Sequence, residues 1–159
     1  MAPLGSTQSD EFVSVHKIVP SDIPFCTPIF VDAYQETYAE PWSLQTGDAR
    51  LCELYQAAPD YCFALRVDGT IAGFILARPF SWHDGTRVWI EEVIVKETHR
   101  GRGLGALLLR TLFEECRRRS VVGVSLISQR GSLAFKMYKR MGWRSSEWMH
   151  LEADLRDLP

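Results

Sequence analysis

The chain has 159 residues, 46% of them hydrophobic, with a formal net charge of -2 and a pI near 6.1. That length and apolar content suit one domain with a buried core, and the near-neutral charge excludes a global basic field that would draw the protein to nucleic acid or to an acidic membrane. No segment is apolar for the length of a bilayer-spanning helix, and the four cysteines show neither a Cys-x-x-Cys pair nor metal-ligand spacing, so the sequence predicts reduced thiols, no metal and a cytoplasmic location, with the nucleus as alternative.

Residues 1–11 are small, polar and turn-prone and read as a flexible tail, with a single domain from 12 to 157. Phe12 to Val19 is β-like. Ser21-Asp22 offers an N-cap for a helix with apolar positions at Ile29, Phe30 and Ala33; Pro24 falls in its first turn and Pro28 can delay or kink it. A second helix is predicted from Asp48 to Ala57, burying Leu51 and Leu54. Tyr61 to Val67 and Ile71 to Arg78 are strands joined at Asp68-Gly69, a pair suited to a hairpin. A turn at Ser81 to Thr86 leads to a strand from Arg87 to Val95.

Past that strand, Arg100-Gly101-Arg102-Gly103-Leu104-Gly105 opens a helix whose Leu104, Leu108, Leu112 and Cys116 form one stripe, with Leu109 and Phe113 beside it. Arg117-Arg118-Arg119 closes it, where cations favour the negative end of the helix dipole. Val121 to Ile127 is a nearly unbroken apolar strand, as expected inside a sheet covered on both faces. Ser132 to Arg140 is the last predicted helix, and Trp143 to Leu151 can supply closing strands. There is no internal repeat.

The loop carries the strongest functional signal. Glycines let the backbone turn sharply and aim several N–H groups at one anion, and the following helix adds its unpaired N-terminal donors. Gly101-x-Gly103-x-x-Ala106 also meets the relaxed dinucleotide fingerprint, but that motif needs an early βαβ unit and an acidic residue about 20 positions on. Val121 to Ser128 contains no Asp or Glu, and much of the chain precedes the loop. No Lys-Ser or Lys-Thr follows the last glycine, which excludes a Walker loop. A helix start with a tight turn is the bland alternative.

Val95-Lys96-Glu97-Thr98-His99-Arg100-Gly101-Arg102-Gly103-Leu104-Gly105 resembles the Arg/Gln-x-x-Gly-x-Gly/Ala signature of the GCN5-related N-acetyltransferases, with its preceding strand. Downstream, Leu133-Ala134-Phe135-Lys136-Met137-Tyr138-Lys139-Arg140-Met141-Gly142-Trp143 is similar to their second motif. The Trp89 to Val95 strand, Phe80-Ser81-Trp82 and Phe135 to Gly142 look closest to diamine acetyltransferases, homodimers acting on spermidine-like or thialysine-like amines. One departure stands out: the asparagine common seven residues before the tyrosine is Gly131 here, so a cofactor-side hydrogen bond is either missing or made by Ser128, Gln129 or Ser132.

The resemblance implies an α/β fold, a mixed, twisted sheet with helices on both faces and central strands splayed to admit acetyl-CoA. It implies backbone contacts to the pantetheine from Val93, Ile94 and Val95, and a pyrophosphate held by Arg100, Gly101, Arg102, Gly103, Leu104, Gly105 and Ala106. Gly131, Ala134 and Tyr138 would complete the cosubstrate site. Tyr138 is implied as general acid for the departing thiolate, the alternative being an aromatic that only packs beside Phe135.

Glu91 corresponds to a glutamate lying near the substrate amine in polyamine-type relatives. Strand alternation lets at most one of Glu91 and Glu92 face the cleft, and Glu91 is favoured; the alternative is a solvent-facing strand residue. Tyr34, Glu36 and Tyr38, in the segment Tyr34 to Trp42, suit a cationic amine through cation–π and charge attraction, or equally a loop flanking the core with a solvated acidic rim. His16, His83, His99 and His150 are isolated and have no assigned role. The expected function is acetyl transfer to a small primary amine of polyamine or lysine type. The alternatives are a protein or peptide acetyltransferase and a non-catalytic CoA-binding module.

Overall fold

The structure, a computed structural model, describes residues 10–156. The tail expected at 1–11 and the domain end expected at 157 lie outside these residues, apart from Asp10 and Glu11. The described chain divides into two compact units, the first ending at Leu126 and the second beginning at Ile127.

The first unit is a five-stranded sheet in the order β1-β2-β3-β4-β5: β1 Val13–Lys17, β2 Cys62–Val67, β3 Thr70–Trp82, β4 Gly85–Val95 and β5 Gly123–Ser125. The first four strands run antiparallel to their neighbours, and β5 joins β4 in parallel. Helices α1 (Ile23–Tyr38) and α2 (Leu44–Ala57) lie on one face. Their Ile23, Cys26, Phe30, Leu51 and Leu54 form one buried cluster with Cys62, Ala64, Phe74 and Leu76 of the sheet. Alternation along β2 and β3 turns Phe63, Leu65 and Ile75 the other way. Helix α3 (Leu104–Arg118) packs against β2, β3 and β4 with Leu108, Leu109 and Leu112 fully buried, the stripe read from the sequence. At its end Arg118 and Arg119 pair with buried Glu115; although burial raises this carboxyl, those hydrogen bonds hold it down at about 2.

Several boundaries differ from expectation. Asp22 does not cap α1 with its side chain. It is buried and bound by the Val19 N–H at 3.0 Å, His16 at 3.1 Å and Arg66 at 2.8 Å, and a short 3-10 turn, Pro20–Asp22, precedes the helix. Helix α2 starts at Leu44, earlier than Asp48, because Ser43 caps it by accepting the Thr46 N–H; Gly47, a poor helix former, hid that start. Strand β3 continues through Pro79 to Trp82, so the turn to β4 is only His83-Asp84. The Val121 to Ile127 run is corrected most: only Gly123–Ser125 is strand, and it forms an edge of the described sheet, with Val122 and Ile127 exposed.

The second unit contains α4 (Leu133–Arg140), capped by Ser132, whose hydroxyl accepts the Phe135 N–H at 3.0 Å. Among the described residues no strand follows it, so the closing strands expected over 143–151 are absent there. All four cysteines are free thiols, and no described helix is long and apolar enough to cross a membrane.

Gly73 of β3 sets how closely β3 and β4 approach. A Cβ at this position would lie 2.7 Å from the Ile94 carbonyl oxygen and 3.3 Å from Val95 Cα, both backbone atoms that cannot rotate away. Gly73→Ala is therefore expected to cost about 1–3 kcal/mol in urea unfolding and to displace the end of β4. An alanine variant as stable as wild type would mean the two strands are less tightly apposed.

Candidate active site

Strand β4 has two edges with different fates. One is paired to β3 along its whole length, from Gly85 opposite Trp82 to Val95 opposite Gly73. The other is paired to β5 only at Arg87, Val88 and Trp89. From Ile90 to Val95 that second edge has no strand partner among the described residues, and this stretch includes Val93, Ile94 and Val95. The strand then runs through a 3-10 turn, Glu97–His99, into the glycine loop.

Gly101 and Gly103 adopt φ of 77° and 76°, in the left-handed region that glycine enters without a Cβ penalty. Gly103 is the N-cap of α3, and no side chain caps that helix end, so Leu104, Gly105 and Ala106 begin the helix without a side-chain acceptor. The two arginines are already engaged. Arg100 Nε donates to the Val95 carbonyl at 2.9 Å and its Nη1 lies 3.2 Å from Glu36, while Arg102 pairs with Glu11 at 2.5 Å. Glu36, expected at the acceptor pocket, thus ties α1 to the loop.

The acidic cluster lies before the loop on the α1/α2 face. Leu76 pairs with Glu92 but the next residue, Ala77, pairs with Ile90, so Glu91 is the extra residue of a β-bulge. Strict alternation predicted that at most one of the two glutamates faces the cleft; the bulge cancels that rule, and both approach one guanidinium. Arg50 of α2 reaches Glu92 at 3.1 Å and Glu91 at 3.7 Å, and Arg78 of β3 binds Glu91 at 2.5 Å. The Tyr34 hydroxyl lies 2.9 and 3.1 Å from the two oxygens of Glu92.

Glu92 is 4% exposed. Burial pushes its carboxyl up to about 7, against the lowering pull of Arg50 and the Tyr34 hydrogen bond. Burial, and then the Glu92 charge, pushes the Tyr34 phenol well above its usual range. Tyr34 is fixed by ring contacts with Phe30 at 4.5 Å and Trp42 at 5.9 Å; Tyr38 lies 5.3 Å away and is largely exposed. Sequence reasoning weighs Glu92 but favours Glu91, and it does not reach Arg50 or Arg78. The Glu-Glu pair inside an apolar strand was the available signal, but the bulge that aligns the two leaves no mark in composition.

Within the second unit, Tyr138 of α4 is buried, with its ring 5.4 Å from that of Trp143, whose N–H donates to the Tyr138 carbonyl. Gly131 has φ 81°, a left-handed conformation that glycine adopts without penalty and asparagine also tolerates. Of the expected replacements, Ser132 spends its hydroxyl on the α4 cap.

The site thus combines a strand edge left open just before a glycine loop with a buried acidic cluster on the α1/α2 face, in an α/β fold. The family model for the acetyltransferase (GNAT) family matches residues 27–143, and the chain belongs to that family. It is an N-acetyltransferase, and acetyl-CoA is its cosubstrate. The loop fits that molecule: beside Gly101 and Gly103 a Cβ would meet nothing within 4 Å, leaving room for a pyrophosphate against the backbone.

Among curated proteins, the chain is 25% identical over 126 residues to a spermine/spermidine N(1)-acetyltransferase of Bacillus subtilis, covering 73% of this chain and 77% of that one. A possible acetyltransferase from Clostridium difficile superposes with a TM-score of 0.77 at 14% identity, over 90% of this chain and 97% of that one. An aminoglycoside N-acetyltransferase solved in complex with CoA superposes at 0.71 and 14% identity, over 98% and 99% of the two chains. The fold is shared; the two of these names that give an acceptor give different ones.

Proposed function

We propose that this N-acetyltransferase modifies a small cationic primary amine, of polyamine or lysine type. The observation that carries the reading is the convergence of Glu91 and Glu92 on the α1/α2 face, a few residues before the cosubstrate loop. The curated relative named for spermine and spermidine points the same way. When bound, acetyl-CoA supplies the activated acetyl group. The open edge from Val93 to Val95 offers backbone groups to its pantetheine arm, in the manner of an added strand, and Gly101 to Ala106 with Arg100 and Arg102 receive its pyrophosphate. Gly131 and Ala134 are assigned to acetyl-CoA by likeness to the second family motif.

On the acceptor side, Glu91 is the more exposed of the two glutamates and anchors the ammonium by charge, while Tyr38 presents an aromatic face to it. An alkyl ammonium must lose a proton before its nitrogen can attack, and a carboxylate of this cluster is the acceptor. Tyr138 Oη holds the proton the leaving thiol needs. A homodimer, implied by the likeness to diamine acetyltransferases, belongs to the same proposal and is checked by light scattering.

The test is CoA thiol release followed across a panel of spermidine, propane-1,3-diamine, lysine and a lysine-containing peptide. Release is expected with the small amines and not with the peptide. Release with the peptide alone would replace this reading with protein or peptide acetylation.

A further inference from the structure

We infer that Tyr34 and Glu92 form a two-residue proton relay: Tyr34 Oη takes a proton from the substrate ammonium as its own proton passes to the Glu92 carboxylate. The inference rests on the amine-acetyltransferase reading above and names the route by which the amine becomes neutral. In the step, one N–H bond of the ammonium breaks and an O–H bond forms on Tyr34. The original Tyr34 O–H breaks and Glu92 becomes a carboxylic acid, which returns the proton to water when product leaves.

The geometry separates the two roles. Glu92 is too buried to meet an acceptor directly, and Arg50 and Tyr34 cover it. Tyr34 is only partly buried, and its hydroxyl sits within hydrogen-bond range of both Glu92 oxygens, so one short transfer reaches either. The ring cannot drift, because Phe30 and Trp42 pack on it. Glu91, by contrast, is held at 2.5 Å by Arg78, which engages it as the charge anchor of the site.

The charged and titratable groups around Glu92 come from four elements: Tyr34 and, behind it, Tyr38 on α1; Arg50 on α2; Glu91 on β4; and Arg78 on β3, which acts through Glu91. Burial outweighs Arg50, and the carboxyl is poised at about 7. An ordinary glutamate lies about six units below an alkyl amine near 10.4, and the raised value closes a substantial part of that gap. Arg50 keeps enough of the carboxylate ionised near neutrality to accept a proton.

The experiment compares Tyr34→Phe and Glu92→Gln with wild type on two acceptors at pH 7: ethylamine, which is protonated, and 2,2,2-trifluoroethylamine, a similar amine that is largely neutral. Both substitutions keep side-chain shape. The relay requires that each variant lose about 10²-fold in kcat/KM on ethylamine and less than about threefold on the fluorinated amine. Carbon-13 titration of the glutamate side chains gives a readout apart from turnover. A carboxyl titrating near 7 should vanish in Glu92→Gln and move upward in Tyr34→Phe, since the tyrosine hydrogen bond lowers it. Equal losses on both amines, or full activity of Tyr34→Phe on ethylamine, would overturn the relay and leave the transferase reading intact. A wild-type protein that releases no CoA thiol with any amine overturns both.

Discussion

Tyr138→Phe is expected to lower turnover by about 10²-fold while leaving the Kd for acetyl-CoA within about twofold of wild type. The substitution removes one oxygen and keeps the ring that packs 5.4 Å from Trp143, so helix α4 and its Ser132 cap stay in place. What goes is the proton held for a thiolate leaving group, an interaction needed in the transition state and not in the ground state, which is why kcat falls and binding does not. Calorimetric titration with acetyl-CoA beside steady-state kinetics reads the two separately. Unchanged turnover would remove Tyr138 from the chemistry and leave it a packing residue of α4.

Phe30→Ala is expected to cost about 3–5 kcal/mol in urea unfolding, the range for deleting a fully buried aromatic side chain. Phe30 is completely buried in α1, and its ring lies 4.5 Å from Tyr34 and 4.9 Å from Trp42. It is the inner member of the aromatic group that holds Tyr34 against Glu92. The cavity should also free the Tyr34 ring, so the surviving folded protein should lose turnover on protonated amines more than on neutral ones. Phe30→Leu, which refills most of the volume, should recover the greater part of both losses. A stability loss below about 1 kcal/mol would mean that α1 repacks around the gap and that Tyr34 does not depend on Phe30.

Much of this protein can be read from its residues in order. The α3 stripe of Leu104, Leu108, Leu112 and Cys116 has the spacing of a helix buried on one side, and the Asp68-Gly69 turn fixes the β2–β3 hairpin. The glycine loop and the Tyr138 motif are contiguous in sequence, so the family they point to was legible before any coordinates; the family model agrees over residues 27–143. Local periodicity and short motifs carry such information because each depends on neighbours a few positions away.

The acceptor side is different, since its parts come from distant segments. Arg50 meets Glu92 across 42 positions of chain and Tyr34 meets it across 58, distances over which spacing says nothing. Alternation along β4 argued for one inward glutamate, and a single extra residue opposite Leu76 and Ala77 reversed that conclusion, because a bulge arises from the pairing of two strands. The apolar run at Val121 to Ile127 failed as a guide for the same reason: hydrophobicity marks what can be buried, while the position of β5 at an edge of the described sheet is decided by which strands pair. The sequence determined the family, the glycine loop and the buried stripe of α3; only the tertiary structure decided which carboxylate is buried, which arginine opposes it and which hydroxyl reaches it, because burial and charge pairing are properties of segments brought together by folding.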